Sequence, residues 1–114
     1  MLSMSVPDIL DQKFGRDALA LRLRAQRIDI IASNIANAST PGYKARDLDF
    51  HAALAGATDA IRYRVPMQAS LDGNTVELAT EQLAFAENAF RYQTTLSFLE
   101  GRIKGMMSAL KADE

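Results

Sequence analysis

The sequence contains one histidine, His51, and two carboxylates, Asp47 and Asp49, lie close to it in the chain. An imidazole beside two acids could ligate a metal ion or act as a general base. Such a set is common by chance, and no nucleophile motif or phosphate-binding glycine loop accompanies it. Cysteine is absent, which excludes thiolate metal sites and cysteine nucleophiles. The sequence therefore predicts no catalytic, cofactor-binding or metal site and no enzyme, with His51 as a solvated loop residue.

Four arginines in the N-terminal third form a second candidate, a patch that could touch nucleic acid or lipid: Arg16, Arg22, Arg24 and Arg27. Asp17 and Asp29 interrupt the series, which favours a solvated or salt-bridged helix flank. The whole chain is nearly neutral, with 13 Lys and Arg residues, 14 Asp and Glu residues and a net charge of -1. We therefore expect no nucleic-acid partner.

A polar motif supplies the third set of chemically specific residues: Asn34, Asn37, Thr40, Pro41, Gly42 and Tyr43. Pro41 cannot continue a helix and biases Thr40 away from helical angles, and Gly42 permits positive φ. A helix is therefore expected to end here at a sharp exit. Asn34 and Asn37, one helical turn apart, have two open interpretations. They hydrogen-bond the last carbonyls of their own helix, or they bond across to another helix and fix its register.

The helix that carries this motif has the 4-3 apolar spacing of a coiled coil, at Phe14, Ala18, Leu21, Ala25, Ile28, Ala32 and Ile35. Ser5-Val-Pro-Asp8 resembles a helix start, with a hydroxyl cap, a proline in the first turn and an acid after it. The sequence predicts a helix over about residues 8–38.

A second helix with the same period is predicted over about residues 75–111. Asn74 is its expected N-cap, with Glu77 three residues later. The heptad positions are Leu78, Gln82, Phe85, Ala89, Tyr92, Leu96, Leu99, Ile103, Met106 and Leu110. Short connections favour antiparallel neighbours, and the roughly 35 residues between the helices can easily return the chain, so we expect the helices to pack antiparallel as a coiled-coil hairpin.

Several large apolar residues lie off these two stripes: Leu19, Leu23, Ile30, Ile31, Leu83, Phe90, Phe98 and Met107. A two-helix hairpin would leave these side chains exposed to solvent, and exposed apolar surface on this scale usually marks an interaction face. The alternative is a compact bundle in which residues 51–72 cover them.

The middle of the chain, about residues 41–73, is predicted to be irregular or β-containing. Extended backbone is expected at residues 43–50, a short helix or loop at 51–60, a short strand at 61–65 and an Asp-Gly turn at 70–74. With no domain boundary evident, residues 1–114 are expected to form a single, mainly α domain.

Membrane insertion is not expected, because no apolar run approaches the roughly 18 residues needed to cross a bilayer. The first ten residues lack a basic region and an unbroken apolar region. We therefore expect no cleaved signal peptide.

Residues 32–44, Ala-Ser-Asn-Ile-Ala-Asn-Ala-Ser-Thr-Pro-Gly-Tyr-Lys, resemble the N-terminal signature of the bacterial flagellar rod and hook family. The C-terminal half agrees, since residues 72–77 (Asp-Gly-Asn-Thr-Val-Glu) and 87–93 (Glu-Asn-Ala-Phe-Arg-Tyr-Gln) are similar to the second helix of that family. Most of residues 8–50 and 72–110 carry the resemblance, whereas residues 51–71 carry little and are short for the family.

The resemblance implies a structural subunit of the basal-body rod, which transmits torque through the periplasm, with paired terminal helices. It implies export through the flagellar type III apparatus without signal cleavage. The implied neighbours are like subunits, other rod proteins such as FlgC, and the FliE adaptor. The competing interpretation is a soluble helical-hairpin adaptor or dimerisation module, which would not need the Thr40-Pro-Gly-Tyr43 exit.

Overall fold

The computed structural model describes the backbone of residues 5–112 and the side chains of residues 5 and 12–112; the ends of the predicted domain lie outside the described residues. Five elements follow in chain order: α1 (Val6–Ala36), β1 (Arg46–Leu48), α2 (Phe50–Leu54), β2 (Ile61–Tyr63) and α3 (Leu78–Ala112). The predicted fold class is confirmed, because two long helices flank a short middle that contains two small strands.

The two long helices pack antiparallel as an elongated hairpin of 67 × 32 × 17 Å. Near the closed end, Asn34 of α1 donates to Glu81 of α3 over 3.0 Å. Further along, Asn88 Nδ2 donates to the carbonyl of Arg24 over 2.8 Å. Near the open end, the side chains of Arg102 and Asp17 form an ion pair of 2.6 Å. As the residue numbers of these contacts rise along α3, they fall along α1, as expected for antiparallel helices.

The most deeply buried residues of the long helices are displaced from the predicted heptad positions. They are Ile31, Asn34, Glu81, Ala84 and Asn88, and all of these except Ala84 are fully buried. The prediction that Ile31 lies outside the seam was wrong. Apolar spacing does not predict this buried contact line between the helices, because asparagine and glutamate side chains that bond across the hairpin occupy much of it.

The middle segment folds against α1 as a two-stranded antiparallel sheet with a short helix between its strands. Arg46 lies opposite Tyr63, Asp47 opposite Arg62 and Leu48 opposite Ile61. Asp49 follows the first strand and caps α2, since its carboxylate accepts a hydrogen bond from the amide of Ala52 over 3.1 Å. Leu48 and Ala60 are buried beneath this unit.

Helix α3 begins at Leu78, three residues after its predicted start. Within the described part of the chain, no helix is both long enough and apolar enough to span a bilayer.

Candidate functional site

The chain leaves α1 through a tight turn at residues 40–43. The amide of Tyr43 donates to the carbonyl of Thr40 over 3.2 Å. Gly42 has a φ of 75°, and Pro41 precedes it. Proline followed by a residue with positive φ is the sequence of a type II turn. Gly42 thus has the positive φ that a glycine permits, although α1 itself ends earlier, at Ala36.

Three carbonyl groups in the turn that follows α1 accept hydrogen bonds from a side chain that arrives from just before α3. Asn74 Nδ2 lies 2.9 Å from the carbonyl oxygen of Asn37, 3.1 Å from that of Ala38 and 2.7 Å from that of Thr40. Its Oδ1 accepts a hydrogen bond from the amide of Val76 over 2.7 Å. The prediction that Asn74 caps α3 was therefore wrong. It ties the end of one helix to the approach of the other, which pattern reading along one segment cannot detect.

The two asparagines of the motif behave differently: Asn37 bonds a carbonyl of its own helix, and Asn34 bonds other elements. Asn37 Nδ2 donates to the carbonyl of Ser33 in its own helix over 2.8 Å. Asn34 is fully buried and bonds across to other elements. Its Oδ1 accepts from the amide of Arg46 over 3.1 Å, and its Nδ2 lies 2.6 Å from the carbonyl oxygen of the same residue. The Asn34 amide thus pairs with β1 as a peptide group of a neighbouring strand would.

Asn34 is joined through Glu81 to a chain of charged side chains, and we call these five residues the polar junction: Arg27, Asn34, Asp47, Arg64 and Glu81. Arg27 binds both carboxylate oxygens of Asp47, over 2.8 and 3.1 Å. Arg64 lies 3.1 Å from Asp47 and 2.6 Å from Glu81, although the latter contact is an ion pair without hydrogen-bond geometry at Nε. The hydrogen bond to Asp47 raises the pKa of Arg27 above its ordinary value. The junction links α1, α3, β1 and the residue that directly follows β2.

The energetic role of the junction follows from its burial. The side chain of Glu81 is fully inaccessible, and those of Arg27, Asp47 and Arg64 are each 21% exposed. Removing one partner from such a network leaves a desolvated charge, which costs roughly 3–5 kcal/mol. The junction therefore opposes any rearrangement of α1, α3 and the middle segment that would separate these groups.

Most of the junction was not found from the sequence. Arg27 was expected to be solvated or salt-bridged, and it is salt-bridged. Glu81 and Asn88 were missed, although their seven-residue separation within a heptad helix was a usable signal. Asn88 is fully buried, donates to α1 through Nδ2, and has no hydrogen-bond partner at Oδ1. The sequence did not indicate a role for Arg64, because its partners Asp47 and Glu81 are remote from it in the chain.

His51 and the two acids near it in the chain have separate roles in the structure. Asp47 serves the polar junction, and Asp49 caps α2 and pairs with Arg62 over 3.0 Å. His51 is an exposed residue of α2, as expected for a solvated histidine. Among the residues that the structure describes, no group of three His, Cys, Asp or Glu side chains could hold a metal ion.

We call the predicted large seam residues the heptad face: Phe14, Leu21, Ile28, Ile35, Phe85, Tyr92, Leu96, Leu99 and Ile103. On α1 the four members are half-buried, whereas on α3 Phe85 and Ile103 are classed as exposed. The hairpin by itself leaves this face partly open to solvent.

The predicted outer apolar residues behave differently on the two helices. On α1, Leu23 and Ile30 are half-buried, and Leu23 lines a small groove with Leu48 and Ala60. On α3, Leu83, Phe90 and Phe98 are exposed by 64%, 73% and 59%, and we call them the outer face. The middle segment therefore partly covers α1 but leaves the outer face of α3 uncovered.

Comparison with known proteins gives a consistent result. Residues 18–44 match the model of the family described as "Flagella basal body rod protein". The flagellar basal body rod protein FlgB of Cereibacter sphaeroides is 48% identical, over 89% of this chain and 95% of the relative. The proteins of the same name from Escherichia coli K12 and Salmonella typhimurium LT2 are 41% and 40% identical, each over more than 90% of both chains.

The relatives are longer within the matched region. The comparison with the Escherichia coli protein spans 134 positions, whereas this chain has 114 residues. Subtracting 114 from 134 leaves at least 20 positions at which this chain has a gap. The chain is therefore shorter than this relative within the matched region.

Proposed function

Because the chain belongs to the family of flagellar basal body rod proteins named FlgB, we propose that it forms the proximal rod by self-assembly through its terminal helices. A structural subunit of the flagellar basal body, acting in motility, is the role that the family supports. Within the rod, the assembled subunits would form part of the axial structure that transmits torque. The observation that carries this proposal is a partly open apolar face shared by both helices.

The two heptad stripes lie on one side of the hairpin. At about 100° per residue, the stripe on each helix is rotated by roughly 60° from the contact line marked by Ile31 and Asn88. Viewed from the N-terminus to the C-terminus of each helix, the rotation has the same sense on α1 and on α3. Because the helices run antiparallel, equal rotations of the same sense turn both stripes toward the same side. The sheet lies on the other side, where Leu23 approaches Leu48.

A continuous assembly also needs a second surface. Heterologous contacts between identical subunits propagate only if each subunit presents two different patches. The outer face of α3 meets this need, since Leu83, Phe90 and Phe98 are exposed away from the heptad face. Complete burial of each such side chain contributes about 1.5–3 kcal/mol. We propose that neighbouring subunits cover both faces.

The partners that fit this role are like subunits, FlgC-like rod proteins and a FliE-like adaptor. Delivery to a periplasm-spanning rod would occur through the flagellar type III export apparatus, without a cleaved signal peptide. The family membership and the apolar helix surface support this placement.

The test replaces Ile103 by Asp in a strain whose own copy of the gene has been deleted. Ile103 is 46% exposed, so the charge stays hydrated in the free subunit and helix content should be retained. A neighbour that buries the charge would pay several kcal/mol at every subunit contact. We expect loss of swimming and of assembled rods in purified basal bodies, with an unchanged circular dichroism spectrum of the variant.

Gln93→Asp is the matched control, because Gln93 is an exposed polar residue of the same helix. It should swim normally. Normal rods with Ile103→Asp would refute assembly through the heptad face. Intact flagella in the deletion strain would refute the rod function itself.

A further inference from the structure

The outer edge of β2 is an open hydrogen-bonding edge. The amide of Arg64 donates to Ala45 and that of Asp49 donates to Ala60, which makes residues 45 and 64, and 49 and 60, hydrogen-bonded pairs. In an antiparallel ladder these pairs alternate with pairs that do not bond. Arg46 with Tyr63 and Leu48 with Ile61 are therefore non-bonded pairs, and the backbone groups of Ile61 and Tyr63 point away from β1.

The side chains along this edge are also exposed to solvent. Ile61, Tyr63 and Val65 are exposed by 42%, 71% and 89%. By contrast, the opposite edge of the sheet is closed, since the side-chain amide of Asn34 bonds both backbone groups of Arg46. One edge of a two-stranded sheet has thus been sealed by a buried asparagine, while the other presents donors, acceptors and apolar side chains together.

A second copy of β2 does not fit this edge. In any antiparallel pairing of two such edges, the hydrogen-bonded residues are the odd-numbered ones, Ile61, Tyr63 and Val65. In the registers that bring Tyr63 opposite Ile61, Tyr63 or Val65 of the other copy, and so pair most of the strand, the even-numbered residues set Arg62 or Arg64 opposite an arginine. Like charges directly opposite across a strand pair are destabilising. Arginines at these positions also protect the edge from self-association.

The strand that β2 already accepts shows which chemistry suits it. β1 presents Asp47 opposite Arg62, with Leu48 next to it and Asp49 just beyond, and Asp49 forms an ion pair with Arg62. Arg62 keeps a side-chain exposure of 57%, so it remains accessible to a further carboxylate. A segment in which apolar residues alternate with acids would match both the ladder and the exposed side chains.

We propose that the outer edge of β2 binds an extended segment of a different protein, in which carboxylates alternate with apolar residues, by strand addition. Main-chain bonds to Ile61 and Tyr63 provide affinity in this mode, and the alternating side chains provide specificity. The site is separate from the heptad and outer faces, so it does not depend on the proposed helix assembly.

The probe for this site is a synthetic peptide with the sequence of residues 44–50, Lys-Ala-Arg-Asp-Leu-Asp-Phe, added to the full chain. Amide hydrogen exchange is followed by NMR. Exchange at Ile61 and Tyr63 should slow by about tenfold when the peptide is present at about ten times its dissociation constant. A peptide with both Asp residues replaced by Asn should bind more weakly.

Tyr63→Pro and Tyr63→Thr form the matched pair of variants. Proline removes only the outward N–H at this position, whereas threonine keeps it and favours strand backbone. The bond from the Arg64 amide to Ala45 should survive in both, and its slow exchange reports an intact sheet. Tyr63→Pro should lose peptide binding, and Tyr63→Thr should retain it.

Peptides N-methylated at alternate residues test the same point without altering the protein. One alternate set should lose binding and the other should keep it, because only every second amide of an added strand faces the edge. Equal binding by both sets, equal binding by Tyr63→Pro, or no slowing at Ile61 and Tyr63 would overturn the proposal. The last result would also follow if the peptide displaced β1 instead.

Discussion

At the scale of single residues, the specificity of this fold resides in side-chain amides. Asn34 and Asn74 each satisfy backbone groups of a distant segment, and Asn88 bonds the backbone of α1 from α3. An asparagine can supply a donor and an acceptor at once, as a peptide group does. These residues therefore define relative positions that apolar contacts alone would leave free to slide.

Asn34 and its neighbour Asn37 allow a direct test of this view. Asn34→Ala leaves both backbone groups of Arg46 without their side-chain partner and removes one of the two hydrogen bonds to Glu81 Oε2, and each unsatisfied group costs roughly 1–3 kcal/mol. We expect the free energy of unfolding to fall by about 2–4 kcal/mol in urea denaturation. Asn37→Ala removes a bond within one helix and should cost about 1 kcal/mol or less. Equal losses for the two variants would contradict a special role for Asn34.

At the scale of elements, the turn after α1 determines where the middle segment goes. The amide of Gly42 donates to the carbonyl of Asp72 over 2.9 Å, and the amide of Thr75 donates to that of Tyr43 over 2.9 Å. The exit from α1 and the entry to α3 are thus joined directly after the turn. A change in the turn would shift β1 relative to the polar junction.

Gly42 is the residue at which this can be measured. No atom lies within 4 Å of a Cβ added there, so a substitution acts through its φ of 75° and not through a clash. Gly42→Val should lower stability by about 1–3 kcal/mol, because a β-branched residue is strained at positive φ. Gly42→Asn should be milder, since asparagine tolerates this region. Thermal unfolding and swimming of both strains provide the measurement, and normal behaviour of Gly42→Val would make the turn dispensable.

At the scale of the whole molecule, the free subunit is poorly enclosed. Its radius of gyration is 19.1 Å, whereas a compact chain of this length would have about 13 Å. Among the described residues the fully buried apolar side chains are few, and Ile31 is the largest of them. Long helices gain most of their stability from packing, which here covers only part of each helix.

The isolated protein should consequently be only partly ordered and should gain full helix stability on assembly. The ordering entropy, about 1–2 kcal/mol per residue, opposes helix formation until neighbours cover the two apolar faces. Hydrogen exchange on dilute protein, shown to be monomeric by light scattering, should find weak protection toward the open end of the hairpin. Strong protection along residues 10–38 in a proven monomer would show that the hairpin is self-sufficient.

The sequence by itself determined the elements and the family. Heptad spacing located both long helices, and the residues from Thr40 to Tyr43 specified the turn, because proline and glycine restrict backbone angles locally. Alternation and the Asp-Gly pair also indicated the short strands and the positive φ of Gly73, which is 77°. These properties depend on neighbours in the chain, so they can be read in order along it.

Only the tertiary structure decided which side of each helix is the inner one and which polar residues belong together. Apolar spacing pointed to the heptad face, yet Asn34, Glu81 and Asn88 lie on the buried contact line. Arg64 meets Glu81 across 17 residues, and Asn34 meets it across 47. A buried polar side chain is stable only beside its partner, and partners that are far apart in sequence become neighbours only when the chain is folded.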